Sequence, residues 1–278
     1  MTSLPTFAKS IGLDLIVRPG GEVVLIELQS HFGRSGLLTL FQSAGKRHRQ
    51  TTRRLRNSYG TSQDLFKSLR RICSSKILTW RHLNRFQPSS YVYSRWSEGA
   101  RSWLEGLQGE YVLFKPPRGS CGRGILVFRK EELPGRMNSV LLTSSVLLQE
   151  YIESRHLLDD AGRPHMGCIR HIVHVFGDAS AIGFVHLPSY WRVAAAPFEG
   201  RPLREAFTAN ISTGAYPLPV EGAEAQSVRD TSEEILRELL EPLLAAKSLA
   251  VRSSEYVSAA GDLLPSPGGA VDIRTTLR

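Results

Sequence analysis

The chain has 278 residues, 41% of them hydrophobic, and carries 35 Lys and Arg against 26 Asp and Glu, a formal net charge of +9. That apolar content excludes a wholly disordered chain, and the length suits one large domain or two close ones. No apolar run approaches the ~20 residues of a membrane-spanning helix, the N-terminus lacks the layout of a secretory leader, and Cys73, Cys121 and Cys168 show no CxxC spacing. A soluble protein of a reducing cytoplasm is expected, with neither a disulfide framework nor a cysteine zinc site.

In chain order, LDLIV, a turn at Arg18-Pro19-Gly20-Gly21 and EVVLIEL predict a β-hairpin. From Lys46 to Arg85 there are twelve Lys and Arg and a single acid, Asp64. This stretch reads as a solvated connector followed by an amphipathic helix with Leu65, Phe66, Leu69 and Ile72 on one face. Its other reading is a phosphate-binding surface. No base-reading element accompanies Arg47, Arg49, Arg53, Arg54 and Arg56, so a sequence-specific nucleic-acid site is not expected. Two apolar runs, YVLF (111–114) and ILVF (125–128), flank the loop KPPRGSCGRG. SVLLTSSVLLQEYI reads as loop and strand, and IRHIVHVF with SAIGFVHL as an antiparallel pair over Gly177-Asp178. TSEEILRELLEPLLAAK predicts a helix capped by Thr231 or Ser232 and kinked at Pro242. Strands cluster in antiparallel pairs with helices between them, an α+β layout.

The glycine loop carries the sharpest chemistry. Three glycines in six positions, with Ser120 and neighbouring Lys115, allow backbone N–H groups to converge on phosphate oxygens. It is neither a Walker loop nor a dinucleotide fingerprint, because strands flank it and no βαβ unit follows. YVLFKPPRGSCGRG resembles the glycine-loop strand pair of ATP-grasp enzymes, and VLLQEYI is similar to their hinge strand. CIRHIVHVF and WRVA supply two strand arginines, AFTANISTGA resembles the Asn-x-x-x-Gly segment, and SSKILTW with QPSSYVY resembles the upstream lysine element.

The resemblance implies an ATP-grasp fold: two α+β lobes sandwiching ATP. It implies that Lys76 and Lys115 neutralise phosphates, and that Gly119, Ser120, Gly122 and Gly124 form a flap over them. Gln149, Glu150, Tyr151 and Ile152 would present adenine-facing backbone, Asn210 would belong to the nucleotide site, and Arg170 and Arg192 would hold the transferred phosphate or an acyl phosphate. Glu153, Asp159 and Asp160 are all candidates for a ribose contact.

ATP-grasp chemistry needs oxygen donors for Mg²⁺. Asp14, Glu27 and Gln29 match the family's spacing of an acid, twelve residues, then Glu-x-amide, but at the wrong end of the chain. Either the order is circularly permuted and the N-terminal hairpin folds against the 169–187 strands, or residues 251–278, with Glu255 and Asp272, are a degraded metal hairpin.

The expected organisation is 1–75 as N-terminal hairpin and basic helical segment, 76–153 as glycine-loop subdomain, and 154–278 as a second lobe. The expected activity is ATP-dependent ligation of a small-molecule or peptide carboxylate to an amine or thiol, with ATP and Mg²⁺ as cofactors. Neither a membrane nor a nucleic-acid partner is expected, and a homodimer is compatible with the sequence. The alternatives are a degenerate nucleotide-binding scaffold and a basic nucleic-acid-binding protein.

Overall fold

The computed structural model describes residues 7–29, 63–119, 124–138, 144–177, 181–197 and 215–261, the stretch 247–261 by its backbone only. The architecture is mixed α+β, with two larger antiparallel sheets. The first sheet holds β1 (Phe7–Val17), β2 (Val23–Gln29), β9 (Gly167–Gly177), β10 (Ile182–His186), β11 (Tyr190–Val193) and β12 (Tyr216–Pro219), in the order β12-β11-β9-β1-β2 with β10 also on β9. The second holds β3 (Ser90–Tyr93), β4 (Tyr111–Lys115), β5 (Leu126–Arg129) and β6 (Val146–Glu150), in the order β3-β6-β4-β5. A two-residue ribbon, β7 (Leu157–Leu158) with β8 (Pro164–His165), lies between them in sequence.

β1 is eleven residues long and pairs with β2 on one edge and β9 on the other. The N-terminal hairpin therefore lies directly against the 167–177 strand, the placement that the reordered metal arm requires. Period-2 alternation then sorts the side chains. Ile11, Leu13, Leu15, Ile169, Val173 and Val175 point one way and are buried. They meet Leu65, Leu69 and Ile72 of α1 (Gln63–Cys73) and Val228, Ile235, Leu236 and Leu239 of α5 (Gly222–Gly261) in one core. Residues 7–29 and 63–73 thus share a core with 169–244, although α2 (Lys76–Leu83) and the whole second sheet intervene in sequence. The second sheet has its own core, in which Val112, Val146 and Leu148 pack on α3 (Glu98–Glu105) and α4 (Leu133–Asn138) through Leu104, Leu133 and Met137.

Strict alternation in VVLIELQ would put Leu25 on the same side as Glu27 and Gln29. A register shift between Asp14 and Leu15 pairs Asp14 with Glu27 but Leu15 with Leu25, so Ile26 is the extra residue. The bulge lets Leu25 and Leu28, both fully buried, face the helices together while Glu27 stays on the opposite face.

Two expectations change. The long helix begins at Gly222 rather than at Thr231 or Ser232, so those residues lie inside it and Ser232 is buried. The earlier start is anchored by Glu224, whose carboxylate accepts from Trp191 Nε1 at 3.0 Å and pairs with Arg155 at 2.8 Å. The helix continues to Gly261, so Glu255 is helical and residues 251–261 do not form a metal hairpin; Asp272 lies outside the described residues. Among the described residues no helix is long and apolar enough to cross a membrane.

Leu13 is fully buried where β1, β9 and the helices meet. Leu13→Ala is expected to lower the unfolding free energy by about 2–5 kcal/mol in urea denaturation, the transfer loss plus the cavity left behind.

Candidate functional site

The face of the first sheet turned away from the helices carries a polar row. Glu27, Asp14, Arg170 and Tyr190 are directly opposite one another across β2, β1, β9 and β11. Asp14 is buried, and its carboxylate accepts from Arg170 Nε, from Arg170 Nη2 at 3.0 Å and from Gln29 Nε2 at 3.2 Å. Arg192 Nη2 pairs with the same carboxylate at 3.0 Å and also donates to the Cys168 sulfur at 2.8 Å. Burial by itself would raise the Asp14 carboxyl, but the Arg192 and Arg170 guanidinium groups hold it below the ordinary carboxylate value. Burial pushes the Cys168 thiol up, against the pull of Arg192.

The second sheet brings up the glycine loop. β4 ends at Lys115, which is buried and donates from Nζ to Gln149 Oε1; Gln149 Nε2 in turn donates to Ser90 Oγ at 3.0 Å. Desolvation lowers the Lys115 ammonium to about 8, Glu27 and Asp14 working against that shift and Lys76 adding to it. Lys76 is the first residue of α2, whose N-terminus Ser75 caps by accepting from Leu78 N. Its Nζ donates to the Gly119 carbonyl at 3.0 Å and pairs with Glu27 at 3.3 Å, and its N–H donates to the Pro117 carbonyl at 3.0 Å. Lys76 thereby ties the glycine loop to the N-terminal hairpin.

A cleft of about 360 Å³ lies where the hairpin and the glycine loop meet, lined by Glu27, Gln29, Lys76, Lys115, Arg118 and Gly119 among others; Asp14, Arg170 and Arg192 are not in its lining. Gly119 and Gly124 both have positive φ, +132° and +74°, where a side chain would strain the loop ends. At Gly124 a Cβ would also come within 3.0 Å of the Pro116 ring. Lys76, Lys115 and Arg118 line the cleft with the carboxylate of Glu27, an excess of two positive charges among the lining residues, while Arg170 and Arg192 are paired with Asp14 on the sheet face that carries Glu27. A wider depression of about 810 Å³ near Trp96, Arg101 and Lys130 contains none of the residues singled out from the sequence.

Of the expected site residues, Asp14, Glu27, Gln29, Lys76, Lys115, Gly119, Gln149, Arg170 and Arg192 come together, while Ser120, Gly122 and Asn210 lie outside the described residues. Gln149 contributes its side chain rather than its backbone. β6 is flanked on both edges, by β3 and β4, and the N–H groups of Glu150 and Tyr151 donate to the Ser89 and Tyr111 carbonyls. The Glu150 carboxylate accepts from Gln108 N at 3.1 Å and Gly109 N at 3.0 Å. Ile152 is buried just past the strand. Among the described residues no cluster of three His, Cys, Asp or Glu side chains forms, so a metal here would rest on carboxylate and amide oxygens of the hairpin. Cys168, Arg118 and the Gln149 side chain were not selected by sequence reading. For Gln149 a signal exists: it is the one polar interior residue of the apolar strand VLLQE.

No protein-family model matches the chain, and a search of curated proteins finds no match.

Asp14→Asn leaves two buried guanidinium groups without a counter-charge and is expected to cost about 3–5 kcal/mol of stability at pH 7. Because the folded-state pKa of Asp14 is depressed, its contribution is complete above ~4 and lost as pH falls through the folded value. The difference between wild type and variant in denaturant titrations should therefore shrink on acidification.

Proposed function

We propose that the cleft binds ATP with Mg²⁺ and that the chain is an ATP-dependent carboxylate–amine ligase of the ATP-grasp type. The observation that carries this reading is the excess of positive charge at a glycine loop, with Lys115 buried against a neutral amide rather than a carboxylate. A buried ammonium without a carboxylate in contact gains most from an incoming anion, and phosphate oxygens at the loop supply one.

The residues fit the cofactor. Lys76, Lys115 and Arg118 offer cations to the phosphates, and Gly119 and Gly124 provide the backbone turn around them. Glu27 and the amide oxygen of Gln29 are the oxygen donors that would hold Mg²⁺, a hard cation. Asp14 is engaged by Arg170 and Arg192, and this holds the two guanidinium groups on the sheet face that also carries Glu27. Bound ATP supplies the phosphoryl group that makes a carboxylate susceptible to an amine. The chain's part is positioning and charge neutralisation, without a side-chain nucleophile.

A second reading is a scaffold that binds nucleotide and has lost transfer; the engagement of Asp14 by two guanidinium groups and Gln29 favours it. ADP release on adding carboxylates and amines separates the two.

Lys115→Ala is expected to weaken ATP binding about 10- to 150-fold in calorimetry, the loss of one charge-assisted contact, with the fold retained. Unchanged affinity in the folded variant rejects the cleft assignment. In the wild type, affinity should be nearly full below about pH 7 and fall about fivefold from pH 8 to 9, because the free site must first reprotonate Lys115; Lys115→Met should flatten that profile. Glu27→Gln is expected to leave metal-free nucleotide binding intact and to abolish the Mg²⁺ dependence. A variant that keeps its Mg²⁺ dependence assigns the metal elsewhere.

A further inference from the structure

Nothing in the cleft uses the outer face of α1. Leu65, Leu69, Ile72 and Cys73 of this helix are buried, and Lys67, Arg70 and Arg71, on the opposite side at spacings of three and four, are exposed. None of the three is in an ion pair among the described residues. α2 adds exposed Arg81 and His82. The neighbouring acids are already committed: Glu27 to Lys76, and Glu234 and Glu238 of α5 to Arg85 at 3.1 and 2.9 Å. Between residues 63 and 83 the sequence holds five Lys and Arg and one acid, Asp64, and the preceding 46–56 holds six more cations. The helix ends at the cleft, whose lining includes Cys73, Ser74 and Lys76.

We propose that the α1 face, through Lys67, Arg70 and Arg71, binds the phosphate backbone of a nucleic acid without reading its sequence. A solvated ion pair between exposed side chains gains about 0–1 kcal/mol, so an acidic peptide would profit little from such a surface. A polynucleotide carries condensed counterions, and each exposed cation that displaces one gains their release. Three exposed, uncompensated cations on one helix face therefore suit a polynucleotide better than a chain of carboxylates. Sequence preference is not expected, because backbone contacts carry no base information. The inference is independent of nucleotide binding in the cleft.

The test uses the full chain and a labelled 20-nucleotide single strand of mixed sequence, with anisotropy recorded from about 50 to 300 mM salt. The triple variant Lys67→Gln, Arg70→Gln, Arg71→Gln should keep the melting temperature of the wild type. Its slope of log K against log salt should be smaller by about 2, since each lost contact removes about 0.7 on single strands. The control Arg95→Gln, Arg101→Gln, two exposed cations on the other sheet's side of the chain, should leave the slope unchanged. Three results would overturn the proposal: an unaltered slope in the triple variant, an equal loss per charge in the control, or tighter binding of an oligoglutamate peptide of matched charge. A preference for one sequence over its scrambled copy would refute the non-specific mode.

Discussion

The site is organised around two carboxylates placed opposite each other. Asp14 and Glu27 are cross-strand partners on one face of the β1–β2 hairpin, an arrangement that is repulsive without compensation. Everything nearby answers that constraint. Asp14, which is buried, takes Arg170 and Arg192, and Glu27, at the cleft edge, takes Lys76. Compensation overshoots, since Lys115 is buried beside them with only an amide to bond. The residues that line the cleft therefore carry a net positive charge.

The neutralising groups come from distant parts of the chain, and this couples the two sheets. Arg170 and Arg192 belong to β9 and β11 of the first sheet, Lys115 ends β4 of the second, and Lys76 begins a helix that follows α1. Lys76 has a hand on each side: its N–H on Pro117, its ammonium shared by Gly119 and Glu27. The first sheet is stiffened from behind by α1 and α5, whose apolar faces close the core under the polar row.

On the helix side of the same sheet lies a second polar chain: Ser189 Oγ to His171 Nδ1 at 2.7 Å, His171 Nε2 to His186 Nδ1 at 2.8 Å, and His186 Nε2 to Glu233 at 2.9 Å. Burial, then His186 and Arg229, lowers His171 to about 3, so it stays neutral and serves as a hydrogen-bonded strut from β9 to α5. The histidine strut and the charged row thus lie on opposite faces of one sheet.

Local pattern alone was sufficient for the hairpin, the strand pairs 111–115 with 126–129 and 169–176 with 182–186, and the amphipathic face of α1, because alternation and helical spacing are properties of neighbouring residues. Residue type and spacing also marked Glu27, Gln29, Lys76 and Lys115, which line the cleft, and Asp14, Arg170 and Arg192, which pair with one another beside Glu27. The tertiary structure decided the rest. The N-terminal hairpin joins the first sheet through the pairing of β1 with β9, 156 residues apart at Asp14 and Arg170, and no local pattern encodes that partner. The bulge that turns Leu25 inward while keeping Glu27 outward, and the role of Asp14 as an anchor for two guanidinium groups, follow from that pairing. A carboxylate reads the same in sequence whether it faces a metal or an arginine; burial and neighbours assign its charge partner, and those exist only once the sheet has formed.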